Sequence, residues 1–181
     1  MVDSIIENIV VTAQLNQQLP LQTLSVAISN TEYDEQDPVL IFRFDHPKRA
    51  VIVTEQGIIS CTGVTSLHQG EETIYSAIDT LKQQAIPILE YPPVTMQSFI
   101  LTVPLETTLD LDHISRHLPP DQVIYKPNKN PWIEYLYDDQ VTMLICASGL
   151  IICTGTSPLD HAYHAIDMLS TIDGIAENEF K

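Results

Sequence analysis

Positive charge is scarce in this chain. Eight Lys and Arg stand against 24 Asp and Glu among 181 residues, for a formal net charge of −16. A field of that sign opposes nonspecific attachment to polyanions and favours solubility or basic partners. The deficit is shared evenly, because residues 1–90 and residues 91–181 each carry twelve acidic and four basic side chains. Cysteine is sparse too: the three do not make an even framework, and Cys61 and Cys153 fall within apolar strand-like runs. Both are expected to be buried free thiols rather than redox groups or metal ligands. The apolar runs are too short to span a bilayer, and the sequence does not open on a basic segment followed by an apolar stretch. No membrane role is expected, and the expected location is cytoplasmic, nucleoid-associated in an archaeal cell or nuclear in a eukaryotic one.

Motifs for metal or covalent chemistry are also missing. Neither HExxH nor paired CxxC occurs, so His113 with His117 and His161 with His164 read as surface or partly buried histidines. The strand hydroxyls Thr54, Ser60 and Thr62 have no His–acid pair repeated near them in sequence. No catalytic residue, metal or cofactor is expected, and hence no enzyme.

What the chain does contain, it contains twice. Asn8-Ile9-Val10-Val11-Thr12 returns ninety positions later as Ser98-Phe99-Ile100-Leu101-Thr102. Leu19 to Ser25 returns as Leu109 to Ser115, Gly57 to Gly63 as Gly149 to Gly155, and Ala77 to Leu81 as Ala165 to Leu169. Four matches in one order at nearly constant offset make a repeat the length of a structural unit. Two pseudo-equivalent halves, 1–90 and 91–181, are expected to form one body.

Each half reads as α+β. Ile5 to Leu15 alternates like a half-buried strand, and Leu19 to Ile28 has helical spacing with Pro20 in its first turn. A short strand near Tyr33 and the runs Val39–Phe44, Ala50–Thr54 and Ile58–Thr62 form an antiparallel meander. A capping box at Ser66–Gln69 then opens a longer amphipathic helix despite Gly70, and Ser157-Pro158-Leu159-Asp160 starts its counterpart. Prolines 87, 92 and 93 mark the connector. Strand parity sends Ile9, Val11, Val51, Val53, Ile59 and Cys61 towards the helices. Asn8, Val10, Thr12, Ile52, Thr54, Ile58, Ser60 and Thr62 then form a face that no helix covers.

This order resembles the TATA-box-binding protein family. The likeness rests on Glu7 to Thr12, Asn30 to Tyr33, Arg43, Pro47, Gly57 and Cys61-Thr62-Gly63. In the second half it rests on Tyr125, Pro127, Pro131, Tyr135, Ser148-Gly149 and Thr154-Gly155. The resemblance implies a pseudo-two-fold saddle, a curved antiparallel sheet with helices on its convex face, and a general factor of transcription initiation. Its concave sheet would bind a TATA-like minor groove, kinked in that family by four phenylalanine wedges. By position, Asn8, Val10, Ile52, Ser60, Thr62, Ser98, Ile100, Leu144, Ile152 and Thr154 would face DNA, with Arg43 and Lys48 on phosphates.

All four wedges are missing: Thr54 and Cys146 stand at two positions, Asp37 or Pro38 and Asn130 at the others. Most phosphate-binding cations are replaced as well, so weakened or altered DNA binding is expected. One loop, with Asp34, Glu35 and Asp37, is acidic. Its counterpart, with Lys126 and Lys129, is basic and adjoins Trp132, so contacts with a transcription factor B-like protein or another basic transcription protein would be redirected. Two alternatives stand beside DNA binding. One is a paralogue that binds proteins instead, including a second copy through the uncovered sheet; the other is a small-ligand or enzymatic module.

Overall fold

The structure, a computed structural model, describes residues 3–88, 90–105, 107–156, 158–172 and 175. Two compact units emerge, one of residues 8–97 and one of residues 98–181 together with 1–7.

The unit of residues 8–97 takes in most of strand β1 (Ile5–Gln14), then α1 (Leu21–Ala27), β2 (Thr31–Asp34), β3 (Val39–Asp45), β4 (Lys48–Thr54), β5 (Ile58–Val64) and α2 (Leu67–Gln83). Its strands lie in the order β2-β3-β4-β5-β1 with antiparallel neighbours. Alternation decides the core: Ile9, Val11, Val51, Val53, Ile59 and Cys61 are each at most 1% exposed. Helix α2 packs on β4 and β5 and buries Ile74, Ala77, Ile78 and Leu81. Each of the buried Ile and Leu side chains contributes about 1.5–3 kcal/mol relative to exposure.

The expected helix over Leu19–Ile28 is shorter. Pro20 has ψ 72°, outside the helical region, and so precedes the helix as its N-cap instead of entering the first turn. At α2 the capping pattern is realised, with Ser66 Oγ accepting from the Gln69 N–H at 3.2 Å. Gln69 Oε1 returns the bond to Thr65 N–H rather than to Ser66. Gly70 earns its place by proximity: a Cβ there would lie 2.4 Å from Val11 Cγ2, so its absence lets the helix settle on β1. The helix ends where Ala85 turns to φ +60°. Beyond it Tyr91 lies against the Tyr75 ring at 4.7 Å and beneath Lys82 Nζ at 3.7 Å, so the connector is held to α2 by aromatic and cation–π contact.

The second unit repeats the order: β6 (Thr95–Pro104), α3 (Leu111–His117), β7 (Val123–Tyr125), β8 (Trp132–Leu136), β9 (Val141–Cys146), β10 (Leu150–Gly155) and α4 (Leu159–Leu169). The strand order is β6-β10-β9-β8-β7. Asp110 caps α3 through the His113 N–H at 3.0 Å, where the first copy has Pro20. Ser157 lies outside the described residues. Cys61 and Cys153 are fully buried free thiols, pushed by desolvation up to about 11 and about 12 respectively. Among the described residues no helix is long and apolar enough to cross a membrane.

One polar latch ties α4 to the turn between β8 and β9. His161 Nε2 lies 2.6 Å from Asp138 Oδ2, while Asp138 Oδ1 accepts from the N–H groups of Gln140 and Val141 at 2.8 Å each. Partial burial raises the Asp138 carboxyl, but these hydrogen bonds and the His161 charge outweigh it and hold the group below its ordinary value. A depressed folded pKa contributes stability that is complete above the unfolded value of about 3.9 and disappears as pH falls through the folded value. Asp138→Asn is therefore expected to be less stable than wild type at neutral pH. The gap should narrow as pH falls from about 5 to about 3, measured by thermal unfolding at each pH.

Candidate nucleic-acid interface

The side chains pointing away from the helices form a half-buried face in each unit. In residues 8–97, Asn8, Val10, Thr12, Ile52, Thr54, Ser60 and Thr62 are all half-buried there, and Ile58 is exposed. Ladder register sets Thr12, Ser60, Ile52, Ile41 and Glu32 in one row across β1, β5, β4, β3 and β2. In the second unit the corresponding row is Thr102, Ile152, Leu144, Glu134 and Ile124. Both rows thus carry hydroxyl and branched apolar groups in the middle and a carboxylate towards the outer strands. Ser98 is half-buried, and Ile100 and Thr154 are exposed beside the second row, with Thr154 Oγ1 donating to the Phe99 carbonyl at 3.0 Å.

Asn8 is oriented by its neighbours. Its Oδ1 accepts from the Gly63 N–H at 2.8 Å, and its Nδ2 lies 3.2 Å from Thr62 Oγ1. That pairing fixes which end of the amide is oxygen, leaving N–H capacity on Nδ2 for an acceptor outside the protein. Next to it Asn8, Thr62 and Gly63, with Arg43, Asp45, Lys48 and Arg49, line an open depression of about 440 Å³. Its charge is mixed, with the Asp45 carboxylate among the basic residues.

The two cations there are not equivalent. Arg43 donates through Nε and Nη2 to the two Glu32 carboxylate oxygens at 2.7 and 2.8 Å, whereas Lys48 is exposed. Hydrogen bonding to Arg43 holds the Glu32 carboxyl below its ordinary value, and the same bond raises Arg43. Arg49, the third basic residue in this stretch, projects to the opposite side, where Nη1 donates to Thr73 Oγ1 on α2 at 2.9 Å.

Where the resemblance led wedges to be expected, the structure has small groups with local duties. Thr54 Oγ1 accepts from the Ile58 N–H at 3.1 Å and closes the β4–β5 turn. Cys146 is a half-buried free thiol, raised by desolvation. Trp132 is on β8 directly across from Cys146, on the outward face with Glu134 rather than in the loop that precedes it. In the loops, Asp34 Oδ1 accepts from the N–H groups of Gln36 and Asp37 at 2.9 and 3.3 Å, leaving Glu35 and Asp37 as the outward charges. Lys126 and Lys129 are exposed, and the turn between them is closed by the Lys126 carbonyl. Sequence reading missed Glu32 as a partner of Arg43; the signal was the β2–β3 register, which sets the two diagonally across the hairpin.

The family model described as Transcription factor TFIID (or TATA-binding protein, TBP) matches residues 3–84 and 93–172. The chain belongs to this family. A TATA-box-binding protein of Picrophilus torridus is 33% identical over 163 residues, 89% of each chain. TATA-box-binding protein D of Halobacterium salinarum is 33% identical over 166 residues, covering 91% of this chain and 89% of the relative. The solved structure of Methanococcus jannaschii TBP superposes with a TM-score of 0.82 at 30% identity, covering 97% of this chain and 99% of that one. The α+β fold expected from the repeat is thus the TBP fold, with archaeal TBPs among its relatives. Within that fold, this TBP-family chain has the half-apolar, hydroxyl-bearing outward faces described above.

Proposed function

We propose that this protein is a TATA-box-binding-protein-type general transcription factor that acts in transcription initiation by applying its outward sheet faces to an A·T-rich minor groove. The observation that carries this reading is the paired rows of residues around Ile52 and Leu144. Minor-groove floors of A·T pairs offer acceptors and a smooth apolar surface, which suit short hydroxyls, branched side chains and an oriented asparagine. Asn8, Val10, Thr62, Ser98, Ile100, Ile152 and Thr154 complete the contact set, and Thr54 and Cys146 lie where the duplex would otherwise be wedged. With neither position aromatic, unstacking is reduced and the bend is milder.

Lys126, Lys129, Glu35 and Asp37 are exposed loop charges suited to protein partners of opposite sign, among them a transcription factor B-like protein. The acidity of the whole chain favours basic partners.

Electrostatics supplies the test. Of the three cations that line the depression, Arg49 is turned to Thr73 and Arg43 and Lys48 project outward, so the binding constant should fall with salt at a log–log slope of about −2 or shallower. Affinity for an A·T-rich duplex should then drop by no more than about tenfold between about 50 and about 200 mM salt. Fluorescence anisotropy across that range checks it. No binding at low salt would sink the DNA reading and leave the protein-binding paralogue.

A further inference from the structure

We infer that Glu32 is an internal substitute for a backbone phosphate: it occupies the Arg43 guanidinium, and nucleic acid must displace it to engage that residue. The inference rests on the DNA-binding reading. It starts from geometry, since the Arg43–Glu32 contact is two parallel N–H···O bonds at 2.7 and 2.8 Å, the fork arrangement by which arginine also takes phosphate. The two side chains are 57% and 59% exposed, so a competing anion has open access.

As a source of stability the pair has little to offer, because solvent-exposed ion pairs contribute on the order of 0–1 kcal/mol. Its effect lies in binding. Arg43, Lys48 and Arg49 line the depression beside Asn8 together with Asp45; Arg49 is turned to Thr73, and Arg43 already has its charge answered by Glu32. When Arg43 exchanges Glu32 for a phosphate, the duplex releases counterions but the freed carboxylate is left uncompensated beside a polyanion. The net gain is smaller than for an unpaired arginine, and the salt dependence is shallower. Glu32 thus lowers the affinity of the first unit without removing its arginine.

Duplex binding by wild type, Glu32→Gln, Arg43→Gln and the double variant tests the exchange, using a short A·T-rich duplex and a salt titration. Glu32→Gln should bind about 3–10-fold more tightly, with a log–log slope steeper by about 0.9, the increment for one more phosphate neutralised. In the Arg43→Gln background, Glu32→Gln should change neither quantity. If Glu32→Gln strengthens binding equally with and without Arg43, the effect is general charge repulsion and the inference falls. If Glu32→Gln weakens binding, Glu32 instead orients Arg43 for the duplex, and the inference falls again. Wild type and variant binding with equal affinity and slope would overturn the inference while the DNA reading stands. Binding by neither at low salt would overturn both.

Discussion

Substituting Gly149 by alanine is expected to lower stability by about 3 kcal/mol and the Tm by roughly 6–12 °C. Gly149 has φ +89°, a left-handed conformation that costs residues with a side chain about 1–2 kcal/mol. A Cβ there would also sit 2.0 Å from the Thr107 carbonyl oxygen and 2.7 Å from that of Leu105. These are backbone atoms and cannot swing aside like the tip of a side chain. Moving them would disturb the Leu105 N–H bond to the Gly149 carbonyl at 2.9 Å, which joins the end of β6 to the β9–β10 turn. Overpacking of this kind adds about 1–3 kcal/mol. The first repeat uses the same device, with Gly57 at φ +78°, its hypothetical Cβ 2.4 Å from the Gln17 carbonyl and its own carbonyl accepting from Leu15. Thermal unfolding of Gly149→Ala checks the prediction, and an unchanged midpoint would mean that the turn has room which the geometry denies.

Glutamate at Ile52 or at Leu144 should each reduce duplex affinity at least about 100-fold, equivalent to about 2.7 kcal/mol, while leaving the Tm within a few degrees. Both side chains are half-buried in the middle of the outward rows, away from the helix-side core. A carboxylate there faces the proposed groove, where it replaces apolar contact with repulsion from phosphates and unpaired acceptors. Anisotropy with an A·T-rich duplex reads the loss, and unfolding curves separate it from misfolding. Wild-type affinity in both variants would remove the sheet faces as the site.

The scaffold was legible because burial alternates through the middle of the central strands. Ile9, Val11, Ile59 and Cys61 could be assigned to one face and Asn8, Val10, Ser60 and Thr62 to the other from period two alone, although the β1–β5 register shifts between Ile9 and Val11. Gly70, which weakens the helix reading by propensity, is explained only by Val11, fifty-nine positions earlier and visible only once the helix lies on the sheet. The Arg43–Glu32 pair escaped notice for a related reason. Both residues were in view, but a four-residue edge strand does not announce its register, and the pairing follows from register alone. Trp132 illustrates how one position of strand phase matters: as a loop residue it belonged with Lys129, and as a β8 residue it stands opposite Cys146.

The three thiols described above differ in chemical access. Cys61 and Cys153 are enclosed and held protonated far above neutral pH, whereas Cys146 is half-exposed on the outward face. Desolvation raises all three, so access decides, and Cys146 is the one thiol that is not fully buried. That sulfur lies cross-strand from the single tryptophan. A modification of Cys146 would therefore be sensed by the tryptophan beside it, on the face proposed to meet DNA.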